Sequence, residues 1–532
     1  MKRKTAALTL TLALTCLFSS AFAADYSHLV IMHTNDTHGY DQRADGVNGM
    51  ATVAALKKDF EAQGKQVVLL DAGDAIQDNN LVNLSKGKTA IDFMNATGYD
   101  AMTLGNHEFD YGADVTQQRI KQAHFPVMSA NIMVDATGKP FTPKTHAIIR
   151  KGNLNIGVFG LTTPSTVTTS NPKSTRGLTF LARDNMYTAA QKEVNALKNE
   201  NCDLVIALGH LGSAPDAAGD RSDDVLNHVK GIDIFIDGHD HVVKNRTING
   251  ALLAETGAHM ANIGVIQNVD GTWEEDLYPY GRYNKEDPKV KAIVDKAQAR
   301  INRRLASVVG TTAATLDGIR APGVRTEETN LGDFLADAFL WQVRQATVLT
   351  HTRVDGAIMN GGSIRASINK GKITENDLLL VMPYHNYLQY VTMKGSTLLE
   401  ILEAATCTTP QAIGAFPQVA GIEYTVDTRI PYAKGTVYPH STYYSPAKPG
   451  SRVTITKVGG RSFNPDDTYC IVVPDYLTSG GDTYSALTDP DKVTVGDVDY
   501  LDVDAVRNYI KEALGGTVGD TYARPQGRIT IR

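Results

Sequence analysis

Five times in the first half of the chain, a short unbroken apolar run ends in a glycine-bearing turn that carries His, Asp or Asn. Residues 29–32 lead into His33-Thr34-Asn35-Asp36-Thr37-His38-Gly39, and residues 67–70 into Asp71-Ala72-Gly73-Asp74. Residues 101–104 lead into Gly105-Asn106-His107-Glu108-Phe109-Asp110-Tyr111-Gly112. Residues 204–208 lead into Gly209-His210-Leu211-Gly212, and residues 232–236 into Asp237-Gly238-His239-Asp240-His241. Unbroken apolar runs of this length predict strands buried on both faces. Helical spacing lies between them: Met50, Val53, Ala54, Leu56 and Phe60 mark residues 50–62, and residues 89–96 read similarly. Strands alternating with helices predict a layered α/β domain whose ligands sit beyond the carboxyl ends of its strands.

All five polar clusters fall at those ends. Asp36 and His38, two residues apart, can face one side of an extended loop, and His239 and His241 repeat the spacing. Asp74, Asn106 and His210 add single donors. The seven oxygen and nitrogen donors suit two divalent ions that share one carboxylate. Asp110, three residues after His107, can orient that imidazole and stabilise its cation for acid–base work. Any one of these histidines alone would read as a solvated or hydrogen-bonded side chain. Five equivalent coincidences argue for a metal site.

The blocks Asn35-Asp36-x-His38, Gly73-Asp74, Gly105-Asn106-His107-Glu108, Gly209-His210 and Gly238-His239-x-His241 resemble the signature of the calcineurin-like metallophosphoesterases. Within that superfamily, residues 34–39 and 105–112 resemble the 5′-nucleotidase branch. The resemblance implies a four-layer αββα catalytic domain over residues 24–284 and an interdomain helix over 285–308. A C-terminal α/β nucleotide-specificity domain follows over 309–532. It further implies that Asp36, His38 and His241 hold one metal, that Asn106, His210 and His239 hold the other, and that Asp74 bridges them. His107 and Asp110 become the catalytic dyad, and the ions are expected to be zinc, manganese or similar. Several nucleotidases carry an amide where His241 stands, so metal preference stays open.

The second half carries its own cluster. Asn360-Gly361-Gly362-Ser363-Ile364-Arg365 follows a strand-like run, and Arg325 precedes a helix that starts near Asn330. Taken alone, the arginines read as surface ion-pair partners and Tyr384 and Tyr484 as core or rim tyrosines. The resemblance implies instead that Arg325 and Arg365 contact phosphate and Asn360 the nucleoside. Tyr384 and Tyr484 would clamp the base, and Asp489 is the candidate ribose contact. Residues 287–305, with Val290, Ile293, Val294, Ala297, Ile301 and Leu305 on one face, predict a helix between the domains; the resemblance makes it the hinge.

Composition narrows the partners. Lys2, Arg3 and Lys4, the apolar residues 6–18 and Ala21-Phe22-Ala23 read as a secretory leader over residues 1–23. The formal net charge is −6, and loss of those three cations makes it more negative still. A nucleic-acid scaffold and an anionic-membrane binder are therefore not expected, and no membrane anchor is read. Small nucleotides are the expected partners. Cys407 and Cys470 could pair, whereas Cys202 reads as a core thiol.

The functional expectation is an exported two-metal phosphohydrolase that releases nucleoside from nucleoside 5′-monophosphates, periplasmic or secreted. Three rivals stay open. One is a 2′,3′-cyclic-nucleotide phosphodiesterase with 3′-nucleotidase activity, and one is a pyrophosphatase acting on UDP-sugars or related diphosphates. The third is a non-catalytic secreted nucleoside-binding protein.

Overall fold

The computed structural model describes residues 24–347 and 353–532; the leader read at residues 1–23 lies outside them. The predicted strands form as the apolar runs require. Leu29–Thr34 (β1), Gln66–Asp71 (β2), Ala101–Thr103 (β3) and Val127–Met128 (β4) pair in parallel. His146–Lys151 (β5), Leu154–Thr162 (β6), Leu204–His210 (β7) and Ile234–Ile236 (β8) enter a second sheet with Val243–Ile248 (β9) and Ala251–Thr256 (β10). Asn262–Val269 (β11) and Thr272–Pro279 (β12) return to the first. The two six-stranded sheets run β12-β11-β1-β2-β3-β4 and β9-β10-β8-β7-β6-β5.

Alternation along each strand feeds different layers. Leu29 and Ile31 point between the sheets with Val68, Ile156, Ile206 and Ile234. Val30 and Met32 point outward to the helices Met50–Ala62 (α1) and Lys88–Thr97 (α2). On the far side, Phe159, Val205 and Phe235 meet Arg183–Asn199 (α3) and Ser222–His228 (α4). Helix, sheet, sheet, helix: this is the four-layer order expected. The parallel strands of both sheets deliver their carboxyl ends to one rim.

Pro288–Leu305 (α5) starts at Asp287, whose side chain accepts the N–H groups of Lys289 and Val290. Val290 and Val294 lie in the first domain's core, whereas Leu305 lies in the second's. The helix is thus docked on the first domain's core along most of its length and reaches the second at its C-terminal end.

The second domain is built on a five-stranded sheet of Gly356–Asn360 (β13), Tyr387–Lys394 (β14), Pro417–Ala420 (β15), Thr468–Pro474 (β16) and Val493–Leu501 (β17), ordered β15-β13-β16-β14-β17. Asn330–Thr347 (α6) covers the face bearing Met359, Leu388 and Val472. Gly395–Ala405 (α7) covers the face bearing Ile358, Val391 and Ile471. Cys407 and Cys470 are not joined in a disulfide, and Cys202 is half-buried rather than a core thiol. Among the described residues, no helix is long and apolar enough to cross a membrane.

Candidate active site

The loops leaving β1, β2, β3, β7 and β8 meet at the shared rim. They carry two donor groups, Asp36 with His38 and His241, and Asp74 with His210 and His239, each with its ligand atoms within 4.8 Å of one another. Asp36, His38, Asp74, His239 and His241 all have positive φ. Side chains other than glycine's rarely adopt that region, and where they do the strain marks function more often than chance. Glycine is required beside them: a Cβ on Gly105 would sit 2.2 Å from Asp74 Oδ1, and one on Gly238 would sit 2.7 Å from Asp36 Oδ2.

The donor atoms converge as cation ligands do. His210 donates Nδ1–H to Ala72 O at 2.8 Å, which leaves the Nε2 lone pair facing Asp74 Oδ2 at 3.0 Å. His38 Nδ1 faces Gln77 O at 3.3 Å, which directs its Nε2 to within 3.1 Å of His241 Nε2. Asp74 Oδ2 is 3.8 Å from His38 Nε2, so this one carboxylate borders both groups. Asn106 Oδ1 is buried without a hydrogen-bond partner. Lone pairs facing lone pairs and an orphaned amide oxygen need a positive centre between them, and this mixed N/O set fits divalent metal ions. Burial pushes the His38 imidazole down to about 3 and that of His239 down to about 4, which keeps both neutral and able to ligate. His210 goes the other way. Burial opposes its charge, but Asp74 and Asp36 outweigh it, so a cation there competes with a proton.

His107 stands beside this rim. Its Nδ1 lies 2.7 Å from Asp110 Oδ2, and Ser170 Oγ donates to Asp110 Oδ1 at 2.8 Å. Burial opposes the imidazolium, yet Asp110 and Asp74 prevail and the group is pushed up to about 9.

One cavity takes in Asp74, Asn106, His107, Asp110, His239 and His241 together with Arg325, Asn360, Arg365 and Tyr384 of the second domain. The domains are shut upon it: Thr168 O accepts Asp482 N–H at 2.8 Å and Tyr476 O–H at 2.5 Å. Asn360 donates Nδ2–H to Asp482 Oδ2 at 2.8 Å. The Tyr384 ring stacks on that of His107 at 5.9 Å.

Two sequence expectations need correction. Tyr484 is wholly buried in the second domain's core and donates its hydroxyl to Ala415 O at 2.8 Å, so it clamps nothing in the cavity. The tyrosines that line the cavity besides Tyr384 are Tyr111 from the first domain and Tyr443 and Tyr476 from the second. Tyr484→Ala is thus expected to destabilise the fold by about 3–5 kcal/mol, as large-to-small core changes do, and a thermal or urea melt would measure it. Asp489 lies outside the cavity, and the second-domain acid that lines it is Asp482.

Other residues at the site escaped sequence reasoning. Glu108 accepts the N–H groups of Asp74, Ala75 and Gly105 at 2.9, 2.9 and 2.6 Å, tying two donor loops together. Lys244 sits among Asp237, Asp240 and Glu255 at 3.1, 3.5 and 2.7 Å beneath the His239–His241 loop. His259 stacks on Tyr40 at 4.2 Å and borders His38 and His241. Arg320, by contrast, could be read from the sequence as a further positive group near Arg325, and it also lines the cavity. A Glu following a His gave one available signal, in the Gly105–Gly112 block. Lys244 lies only three residues beyond His241, whereas His259 lies far from any motif in sequence.

Fold and donor set together define a metal-dependent hydrolase of phosphate esters. Residues 29–243 match the calcineurin-like phosphoesterase family and residues 308–489 the 5′-nucleotidase C-terminal domain. The chain is 31% identical to the trifunctional nucleotide phosphoesterase protein of Bacillus subtilis, over 94% of this chain but only 35% of that longer protein. It is 29% identical to the 5′-nucleotidase of Vibrio cholerae, covering 95% of this chain and 93% of that one. The crystal structure of a 5′-nucleotidase precursor from Thermus thermophilus superposes with a TM-score of 0.77 at 26% identity, over 94% of this chain and 99% of the other. The chain belongs to the 5′-nucleotidase family of metallophosphoesterases.

Proposed function

We propose that the protein hydrolyses nucleoside 5′-monophosphates to nucleoside and phosphate outside the cytoplasm, with two divalent metal ions. The observation that carries this is the one cavity on which His241 of one donor group, Asp74 and His239 of the other, the His107–Asp110 pair and the arginines of the second domain face one another. In this reading residues 24–284 form the catalytic domain, 285–308 the connecting helix and 309–532 the nucleotide-specificity domain. Asp36, His38 and His241 hold one ion, Asn106, His210 and His239 the other, and Asp74 both. When bound, such ions acidify water and neutralise phosphoryl charge.

The chain supplies the rest. Arg325 and Arg365 meet phosphoryl oxygens with charge-assisted hydrogen bonds. Asn360 contacts the nucleoside from the second domain, with Asp482 fixing its amide. His107, cationic at neutral pH, stabilises the phosphoryl group and hands a proton to the leaving oxygen, while Asp110 and Ser170 hold the ring. Tyr384 offers a stacking face to the nucleoside. The names of the relatives from Vibrio cholerae and Thermus thermophilus support the 5′ position.

The test is phosphate release from the metal-supplemented protein on AMP, ADP, UDP-glucose, 3′-AMP, 2′,3′-cyclic AMP and p-nitrophenyl phosphate, with the nucleosides identified. AMP is expected to lead the panel. A lead for 3′-AMP or the cyclic substrate would keep the metal centre and reverse the nucleotide's orientation. Exhaustive chelation is expected to abolish turnover and divalent metal to restore it; activity that outlasts chelation would contradict a metal-dependent reaction. Tyr384→Ala is expected to raise KM for AMP about tenfold, within the range a base–aromatic stack contributes, and to spare p-nitrophenyl phosphate. Equal losses on both substrates would remove the stacking role.

A further inference from the structure

Asp78 lies four residues beyond Asp74 in the loop after β2, with φ at 93°. Residues other than glycine seldom adopt that backbone region, Asn and Asp more readily than most, and such strain persists where the surroundings over-determine it. Here Asn83 does so. Asp78 donates its N–H to Asn83 Oδ1 at 3.0 Å, and Asn83 Nδ2 donates to Asp78 O at 2.9 Å. Tyr111 O–H donates to the same Asn83 Oδ1 at 2.7 Å.

The strained residue reaches across the domain boundary. Arg365 Nε lies 3.0 and 2.9 Å from the two Asp78 oxygens, and Arg365 Nη2 lies 2.6 Å from Oδ2. Both side chains are almost fully buried, at 5% exposure for Asp78 and 8% for Arg365. This side-on fork uses Nε and one terminal nitrogen, which leaves donors of the other terminal nitrogen for the cavity that Arg365 lines. On its other side Asp78 Oδ2 lies 3.5 Å from His38 Nδ1. Arg320 and Arg325 share the cavity, so without a counter-charge three guanidiniums would crowd one desolvated space.

We propose that Asp78 is a positioning residue for the phosphate-binding arginine. It fixes the Arg365 guanidinium at the edge of the donor cluster with its free donors turned to a phosphoryl group, and does so only when the domains are closed. The proposal rests on the phosphohydrolase reading for its ligand, a phosphate monoester, but not for the ion pair itself. Asp78→Asn is the variant of choice, because Asn keeps the shape and tolerates positive φ.

The experiment measures kcat, KM and bound metal for Asp78→Asn on AMP, alone and combined with Arg365→Gln. Small-angle scattering of the substrate-free proteins completes it. Asp78→Asn is expected to lower kcat/KM at least about tenfold, mostly through KM, with metal content unchanged. In the Arg365→Gln background the same change is expected to alter kcat/KM less than about twofold, since residues acting through one another are not additive. The scattering radius is expected to rise when the pair is broken. An equal loss in both backgrounds, a loss of metal, or an unchanged KM would each overturn the positioning role. Were no phosphoester turned over at all, the function reading would fall while scattering still judged the latch, which an unchanged radius would refute.

Discussion

His107→Ala will lower turnover of AMP by about 100- to 10,000-fold, the range lost with a positioned acid–base group, and will leave bound metal unchanged. Asp110 and Asp74 push the imidazole up to about 9 against the opposing effect of burial, and the proposed mechanism uses that cation where charge builds on the phosphoryl group. Alanine removes both that charge and the proton. His107 is in neither donor group, and its ring is held by Asp110 rather than by the ligands. Kinetics beside elemental metal analysis make the check. A variant that has lost metal would make His107 a ligand, and one with near-normal turnover would leave the dyad without a role.

Asp74→Ala is expected to be at least as damaging, for a different reason. Its Oδ2 borders His210 and His38, and its Oδ1 accepts the N–H of His107 at 2.8 Å. One carboxylate therefore serves both donor groups and anchors the catalytic loop. Residues that merely orient metal ligands cost about 10- to 100-fold in affinity or activity when removed, so a shared ligand should exceed about 100-fold. Asp74→Ala should bind less metal, and excess metal should restore only part of the activity. Full metal content with full activity would show that the two groups work independently.

Much of this was legible because each donor follows an apolar run whose burial is unambiguous, and a strand end fixes where its loop must lie. Asp36, His38, Asp74, His210, His239 and His241 meet for that reason. The second domain's half of the cavity was less legible. Its walls come from Tyr384, Ile413, Tyr443 and Tyr476, which are far apart in sequence and share no spacing. Tyr484 sits in a glycine-rich turn like those at the rim, yet its chain direction carries it into the core, and nothing in the local sequence distinguishes the two outcomes. Asp78 carries no signal in the sequence, because a strained φ and a partner 287 residues away leave no trace in composition. The docking of the connecting helix was not legible either, since the apolar stripe of residues 287–305 gives a helix but not which core it packs on.

The cavity is divided between domains: every proposed metal donor comes from the first, and the arginines and most of the nucleoside wall come from the second. Substitutions around Tyr384, Ile413 and Tyr443 can therefore redirect which nucleotide is accepted while the reaction centre stays untouched, and each such change can be selected on its own. Asp78 departs from this division, a first-domain residue paired through its side chain with a second-domain arginine. Where the two halves of the chain meet in that pair, a change on one side obliges a change on the other, whereas the backbone carbonyl of Thr168 that receives Asp482 and Tyr476 imposes no such demand on its own side chain.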